Sequence, residues 1–151
     1  MGVEHDRWMT EAIRLAGEAV DRGDEPFGAL LVVDAASVLE ARNAINTSGD
    51  VTQHAELRLV SSASRSLPAE LVSAATLYTS TEPCAMCCGA IYWAGIRHVV
   101  YGFPAARLEE MVGGSGLHRS SRDVLGDATR NVRIEGPILE DAARHVHERY
   151  W

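Results

Sequence analysis

The sequence predicts an α/β domain, a three-layer α-β-α sandwich around a mixed sheet of about five strands. Three observations carry that prediction. Short β-rich runs alternate with stretches of helical periodicity, in the order α-β-β-α-β-α-β-α-β-α. The run 29–33 is apolar without interruption, as a strand covered on both faces is. A chain of 151 residues, 46% apolar and 23% charged, has the length and composition for one domain, 1–151, with a core of its own.

Each element has its own signal. Apolar residues at Trp8, Met9, Ile13, Leu15, Ala16 and Val20 predict a helix over 6–21, closed by Gly23. PFGALLVVD (26–34) and SVLEARNAI (37–45) read as strands joined by a turn at Ala35 and Ala36. NTSGDVT (46–52) is a polar loop that feeds a helix from 54 to about 64, and Pro68 breaks the chain after it. ATLYTS (75–80) is a strand. Thr81 is the expected N-cap and Pro83 the expected first-turn residue of a helix over 84–93, ended by Gly95. HVVYG (98–102) is a strand, AARLEEMV (105–112) a helix and GGSGLHRSS (113–121) a flexible loop. NVRIEG (131–136) is the fifth strand, and Pro137 opens a last helix that reaches Trp151.

Composition narrows the function. A net charge of −7 disfavours a nucleic-acid partner, because that affinity rests on Lys and Arg neutralising phosphates. The N-terminal segment reads as neither signal peptide nor membrane span, so no membrane is expected. The three cysteines, Cys84, Cys87 and Cys88, lie within five positions, which does not suit a disulfide framework. They point to a reducing cytoplasm and to metal or redox chemistry.

Cys84 and Cys87 stand i, i+3 on a predicted helix, so both thiols leave one face, near a helix N-terminus that favours thiolates. That pair is half of a tetrahedral zinc site, and His54, opening the preceding helix, is the natural third ligand. Three protein ligands leave a fourth position for water, the mark of a catalytic zinc. Glu56, two residues past His54, is awkwardly placed as a ligand and well placed as a proton carrier. A His-x-Glu followed by Pro-Cys-x-x-Cys is the signature of the zinc deaminases.

On these residues the chain resembles the cytidine deaminase superfamily, on its nucleobase and tRNA-adenosine deaminase branch. HAE (54–56) and EPCAMC (82–87) look like the two zinc motifs, and PFGALLV (26–32) and RNAINTSGDVTQHAE (42–56) are similar to the stretches that precede them. The resemblance covers roughly residues 8–102. It implies one zinc per chain on His54, Cys84 and Cys87, with Glu56 as proton shuttle. It further implies substrate contacts from the Asn43 side chain, the Ala55 N–H and the Ser80 carbonyl, and a homodimer. Val51 stands where the family commonly has proline and Gln53 where it has a small residue, which bears on the identity of the base. IYWAG (91–95) and the terminal RYW look closest to bacterial guanine deaminases, in which the C-terminal segment closes over the pocket.

Other residues carry two readings each. Phe27 packs the first strand into the core or touches the base edge. Tyr150 and Trp151 form a lid or the amphipathic end of a helix. Glu109 and Glu110 make a solvated helix face, or one of them pairs with guanine. Cys88 reads as core packing, and His98, His118, His145 and His147 as non-ligands, since a catalytic zinc already has its three. The leading expectation is hydrolytic deamination of a free nucleobase, guanine first, with cytosine, a nucleoside or a related amino-pyrimidine or triazine next. Deamination of adenosine in tRNA and a zinc-stabilised binding module without turnover are the competing readings.

Overall fold

A computed structural model describes residues 2–114, 117, 119–126, 129 and 131–151. A five-stranded sheet of order β2-β1-β3-β4-β5 is formed by β1 (Gly28–Val33), β2 (Ala36–Arg42), β3 (Thr76–Thr81), β4 (His98–Phe103) and β5 (Arg133–Glu135). The sheet is mixed: β1 runs antiparallel to both β2 and β3, while β3, β4 and β5 are parallel. Every residue of β1 is buried, because alternate side chains serve two cores. Ala29, Leu31 and Val33 meet Leu77 and Val99, and are covered by Leu59 and Ala63 of α3 (Ala55–Ser66) and Ile91 of α5 (Ala85–Ala94). Leu30 and Val32 meet Tyr78 and Val100 and are covered by Trp8, Met9, Ala12 and Leu15 of α1 (Gly2–Asp21). Helices on both faces make three layers.

Differences from the sequence reading have local causes. The β1–β2 turn centres on Asp34 and Ala35, both at positive φ (51° and 59°), one residue earlier than expected; paired positive φ values suit a tight hairpin. The polar loop contains one helical turn, α2 (Ile45–Ser48), closed by Gly49 at φ 68°. Pro68 ends one helix and caps another, α4 (Ala69–Ala74). Thr81 is the last residue of β3 and caps nothing; Cys84 is the N-cap of α5, with Pro83 just before it. After α6 (Ala105–Val112), a short α7 (Ser121–Leu125) starts from a capping box of Ser120 and Asp123. The part of the expected flexible loop at 115, 116 and 118, with His118, lies outside the described residues. Pro137 does not open the last helix, α8 (Glu140–Tyr150), because Ile138 N–H is committed to Tyr101 O and the backbone turns helical only after Leu139. Among the described residues no helix is long and apolar enough to cross a membrane.

Candidate active site

The helix starts that carry the expected ligands meet at the C-terminal edge of the parallel strands, where α/β sheets place ligands. β3 runs through Thr81 into Glu82 and Pro83, which fixes Cys84 as N-cap in extended backbone (φ −71°, ψ 172°). His54 is the N-cap of α3 in a similar conformation (φ −69°, ψ 150°). His54 Nδ1 lies 3.6 Å from Cys84 Sγ and 3.7 Å from Cys87 Sγ, with all three donor atoms within 4.8 Å of one another. A tetrahedral zinc with bonds of about 2.3 Å to sulfur and about 2.0 Å to nitrogen has an S···N edge of ~3.6 Å. The donor set and its spacing fit zinc.

The thiols do not ionise alike. Hydrogen bonding with Cys87, and next with His54, draws the Cys84 thiol down to about 4. The same hydrogen bond and burial push the Cys87 thiol up. His54 is raised through its hydrogen bond with Cys84. Glu56, in the first turn of α3, is 4% exposed; burial, then the charge of Cys84, pushes its carboxyl up to about 7. It is a buried acid poised near neutrality beside the metal donors.

His54, Glu56, Cys84 and Phe27 line one cavity of about 390 Å³. Phe27 therefore faces the cavity, with its ring edge-on to His147 at 5.3 Å between centroids. Glu109 lines the cavity too, whereas the Glu110 side chain is 75% exposed and pairs with Arg107, a solvated position. Asn43 is buried; its N–H donates to Phe27 O, its Oδ1 accepts from Ile45 N–H, and its Nδ2 has no partner among the described residues. Ala55 is buried in the first turn of α3, where backbone N–H groups have no intrahelical acceptor.

Of the expected substrate contacts only Phe27 lines the cavity; Asn43, Ala55, Ser80 and Trp151 are not among its lining residues. Ser80 Oγ accepts from Gly28 N–H, and its carbonyl lies against Gly102. Trp151 is half-exposed and donates from its indole N–H to His147 Nδ1 at 3.0 Å; His147 Nε2 in turn meets Thr81 Oγ1, which does line the cavity. Tyr150 accepts from Asn46 Nδ2. Cys88 is fully buried and donates to Pro83 O, as core packing requires.

Several wall residues carried no signal of their own. Glu25, Met86, Leu108 and Arg119 line the cavity from four segments. Glu82 was legible only as the acid before Pro83, yet it is 8% exposed and accepts from Ala105 N–H (3.0 Å), Ser121 N–H (2.8 Å) and Ser121 Oγ–H (2.5 Å). It ties the strand end to the starts of α6 and α7. Elsewhere, Arg22, Arg42, Arg58 and Arg65 gather around a separate cleft of about 510 Å³.

This fold and donor set define a zinc-binding hydrolase. The chain belongs to the cytidine and deoxycytidylate deaminase family, whose zinc-binding region matches residues 3–103; it is a deaminase, acting on C–N bonds. It is 40% identical over 151 aligned residues to a probable cytosine deaminase of Schizosaccharomyces pombe, covering 95% of this chain and 90% of that protein. It is 43% identical over 100 residues to the guanine deaminase of Bacillus subtilis, covering 66% of this chain and 64% of that one. A guanine deaminase from Nitrosomonas europaea has the same fold, with a TM-score of 0.80 at 23% identity over 96% of this chain and 83% of that one.

Proposed function

We propose that residues 1–151 act as a single domain that hydrolytically deaminates a free nucleobase. The observation that carries this reading is the convergence of His54, Cys84 and Cys87 beside buried Glu56 at one cavity of about 390 Å³. His54, Cys84 and Cys87 hold zinc, which when bound supplies the Lewis acidity that makes water a nucleophile near neutral pH. Water adds across the ring C=N at the carbon bearing the amine, the C–NH2 bond breaks, and the products are a ring carbonyl and ammonia. Glu56 holds the proton that water gives up, passes it to the ring nitrogen, and passes a proton to the departing amine. Asn43 Nδ2 and the Ala55 N–H orient the ring, and the apolar Phe27 face limits water access.

Substrate identity is set by the wall, to which Ala105, Leu108, Glu109, Leu117 and Arg119 contribute from beyond residue 103. The likeness to the fission-yeast protein runs through that part of the chain, whereas the likeness to the Bacillus guanine deaminase covers 66% of it. Cytosine is therefore placed first and guanine, the reading from the motifs, second. The arginine-lined cleft favours one further reading, deamination in tRNA, which mobility shift of tRNA at low salt tests. A homodimer in the cytoplasm completes the reading, and sedimentation velocity checks the dimer.

Ammonia release by the zinc-loaded protein against cytosine, guanine, their nucleosides and amino-triazines is the decisive assay. Glu56→Gln is expected to lower turnover by about 10²–10⁴-fold while zinc content is kept. Loss of zinc along with turnover would overturn the shuttle assignment. Turnover of nucleosides alone would overturn the free-base reading.

A further inference from the structure

Among the described residues two groups of three metal-type donors converge, and the second is far from the catalytic cavity. It joins His5 of α1, His98 at the start of β4 and Glu135 at the end of β5. Thr76, beside His98 in the parallel register, begins the strand whose other end, Thr81, lines the catalytic cavity. Five residue rises along β3, roughly 16 Å, separate the two positions.

We propose that His5, His98 and Glu135 form a second metal site, for a borderline divalent cation of the zinc class. Four observations support it. The three donor atoms lie within 4.8 Å of one another, and His5 Nε2 is 3.3 Å from Glu135 Oε2. That is the edge of a tetrahedron with bonds of about 2.0 Å to nitrogen and oxygen. His5 is 8% exposed, and its Nε2 has no hydrogen-bond partner among the described residues although it faces the carboxylate. The other ring nitrogens are held from behind, His5 Nδ1 by Tyr78 OH at 2.8 Å and His98 Nδ1 by Thr76 Oγ1 at 3.1 Å. This outer support aims both Nε2 atoms at Glu135, as ligand histidines are aimed in metal sites. His98 Nε2 is already paired with Glu135 Oε2, a contact the cation would divide.

One charge opposes the site. Arg133 Nη2 lies 3.2 Å from both His98 ring nitrogens, and the Arg133 side chain is 63% exposed. Its Nε also lies 3.5 Å from Glu135 Oε2; the side chain can withdraw into solvent, but its presence makes this site weaker than the Cys2His site. Two imidazoles and one carboxylate suit zinc, nickel or cobalt over calcium or magnesium. The bound ion would staple the N-terminal helix to β4 and β5, a structural role with no part in the reaction.

The test is zinc stoichiometry on the full-length protein, by equilibrium dialysis against zinc and elemental analysis. Wild type is expected to bind two equivalents per chain, one tightly. His98→Gln and Glu135→Gln are expected to bind one and to keep deaminase activity; Cys84→Ser is expected to lose the tight equivalent alone. Cobalt separates the sites without mutation. The first equivalent gives the intense near-ultraviolet band of thiolate coordination, and the second only weak visible bands. Saturation of wild type at one equivalent, or two equivalents retained in both His98→Gln and Glu135→Gln, would overturn the proposal. Circular dichroism of His98→Gln and Glu135→Gln against wild type guards against misreading an unfolded variant as a metal-free one.

Discussion

Replacing Glu82 with alanine is expected to cost about 3–5 kcal/mol of stability, because one buried carboxylate serves two helix starts. Its Oε1 accepts from Ala105 N–H, the first residue of α6, and its Oε2 from the N–H and hydroxyl of Ser121, the first residue of α7. Helix starts carry partial positive charge, so a carboxylate is matched to both. Hydrogen bonds to a charged group contribute about 1.5–3 kcal/mol each, and a buried N–H left without an acceptor costs about 1–3 kcal/mol. Three bonds lost together do not add fully, which brings the sum to the stated range. For a domain of this size each kcal/mol moves Tm by about 2–4 °C, so a fall of roughly 6–20 °C is expected by calorimetry. Glu82→Gln keeps one acceptor and turns an amide donor toward an N–H, at about 2 kcal/mol; Ser121→Ala loses only the hydroxyl bond, at about 1 kcal/mol. α6 contributes Leu108 and Glu109 to the cavity, so KM is expected to rise in the same order as stability falls. A Glu82→Ala protein melting within 2 °C of wild type, or a KM order that does not follow stability, would refute this reasoning.

Two further perturbations follow from close packing and from burial. Gly28→Ala places a Cβ 2.5 Å from both Ala12 O and Ala16 N, so α1 must lift off β1; a loss of about 3 kcal/mol is expected in urea denaturation, and an unchanged midpoint would rule the contact out as a constraint. His147 is 1% exposed, and burial holds it down to about 4. The Trp151 indole only donates, so His147 Nδ1 accepts and the proton sits on Nε2, toward Thr81 Oγ1. The unfolded histidine, near 6.5, takes up a proton first as pH falls, so stability is lost between about pH 6.5 and 4, by about 3 kcal/mol in all. His147→Gln is expected to flatten that part of the stability profile, and an equally steep fall in the variant would exclude His147 as its source.

Elements with a period of their own were legible. β1 is buried end to end as its apolar run implies, and α6 matches the predicted 105–112. Elements defined by distant partners were not. α4 and α7 are one or two turns long, too short for a periodic signal, and α7 starts where Glu82, 39 residues away, supplies an acceptor. Thr81 has the chemistry of an N-cap, but its backbone is committed to the ladder opposite Phe103, and the cap passes to Cys84. The tie between the Trp151 indole N–H and the buried His147 one turn earlier had no sequence signal either.

The same division separates the chemistry of the site from its specificity. The proposed zinc donors and Glu56 occupy two short stretches, because two helix starts at the end of one sheet suffice to bring them together. The wall around them has no such economy. Glu25 comes from the α1–β1 connection, Met86 from the first turn of α5, Leu108 from α6 and Arg119 from just before α7. Their relative positions depend on tertiary contacts such as Glu82 to Ala105 and Ser121, each spanning more than twenty residues. A change in those contacts reshapes the wall without touching His54, Glu56, Cys84 or Cys87. Relatives that share HAE and PCxxC can therefore act on different bases, and Glu82 variants are the place to look for altered base preference with catalytic chemistry intact.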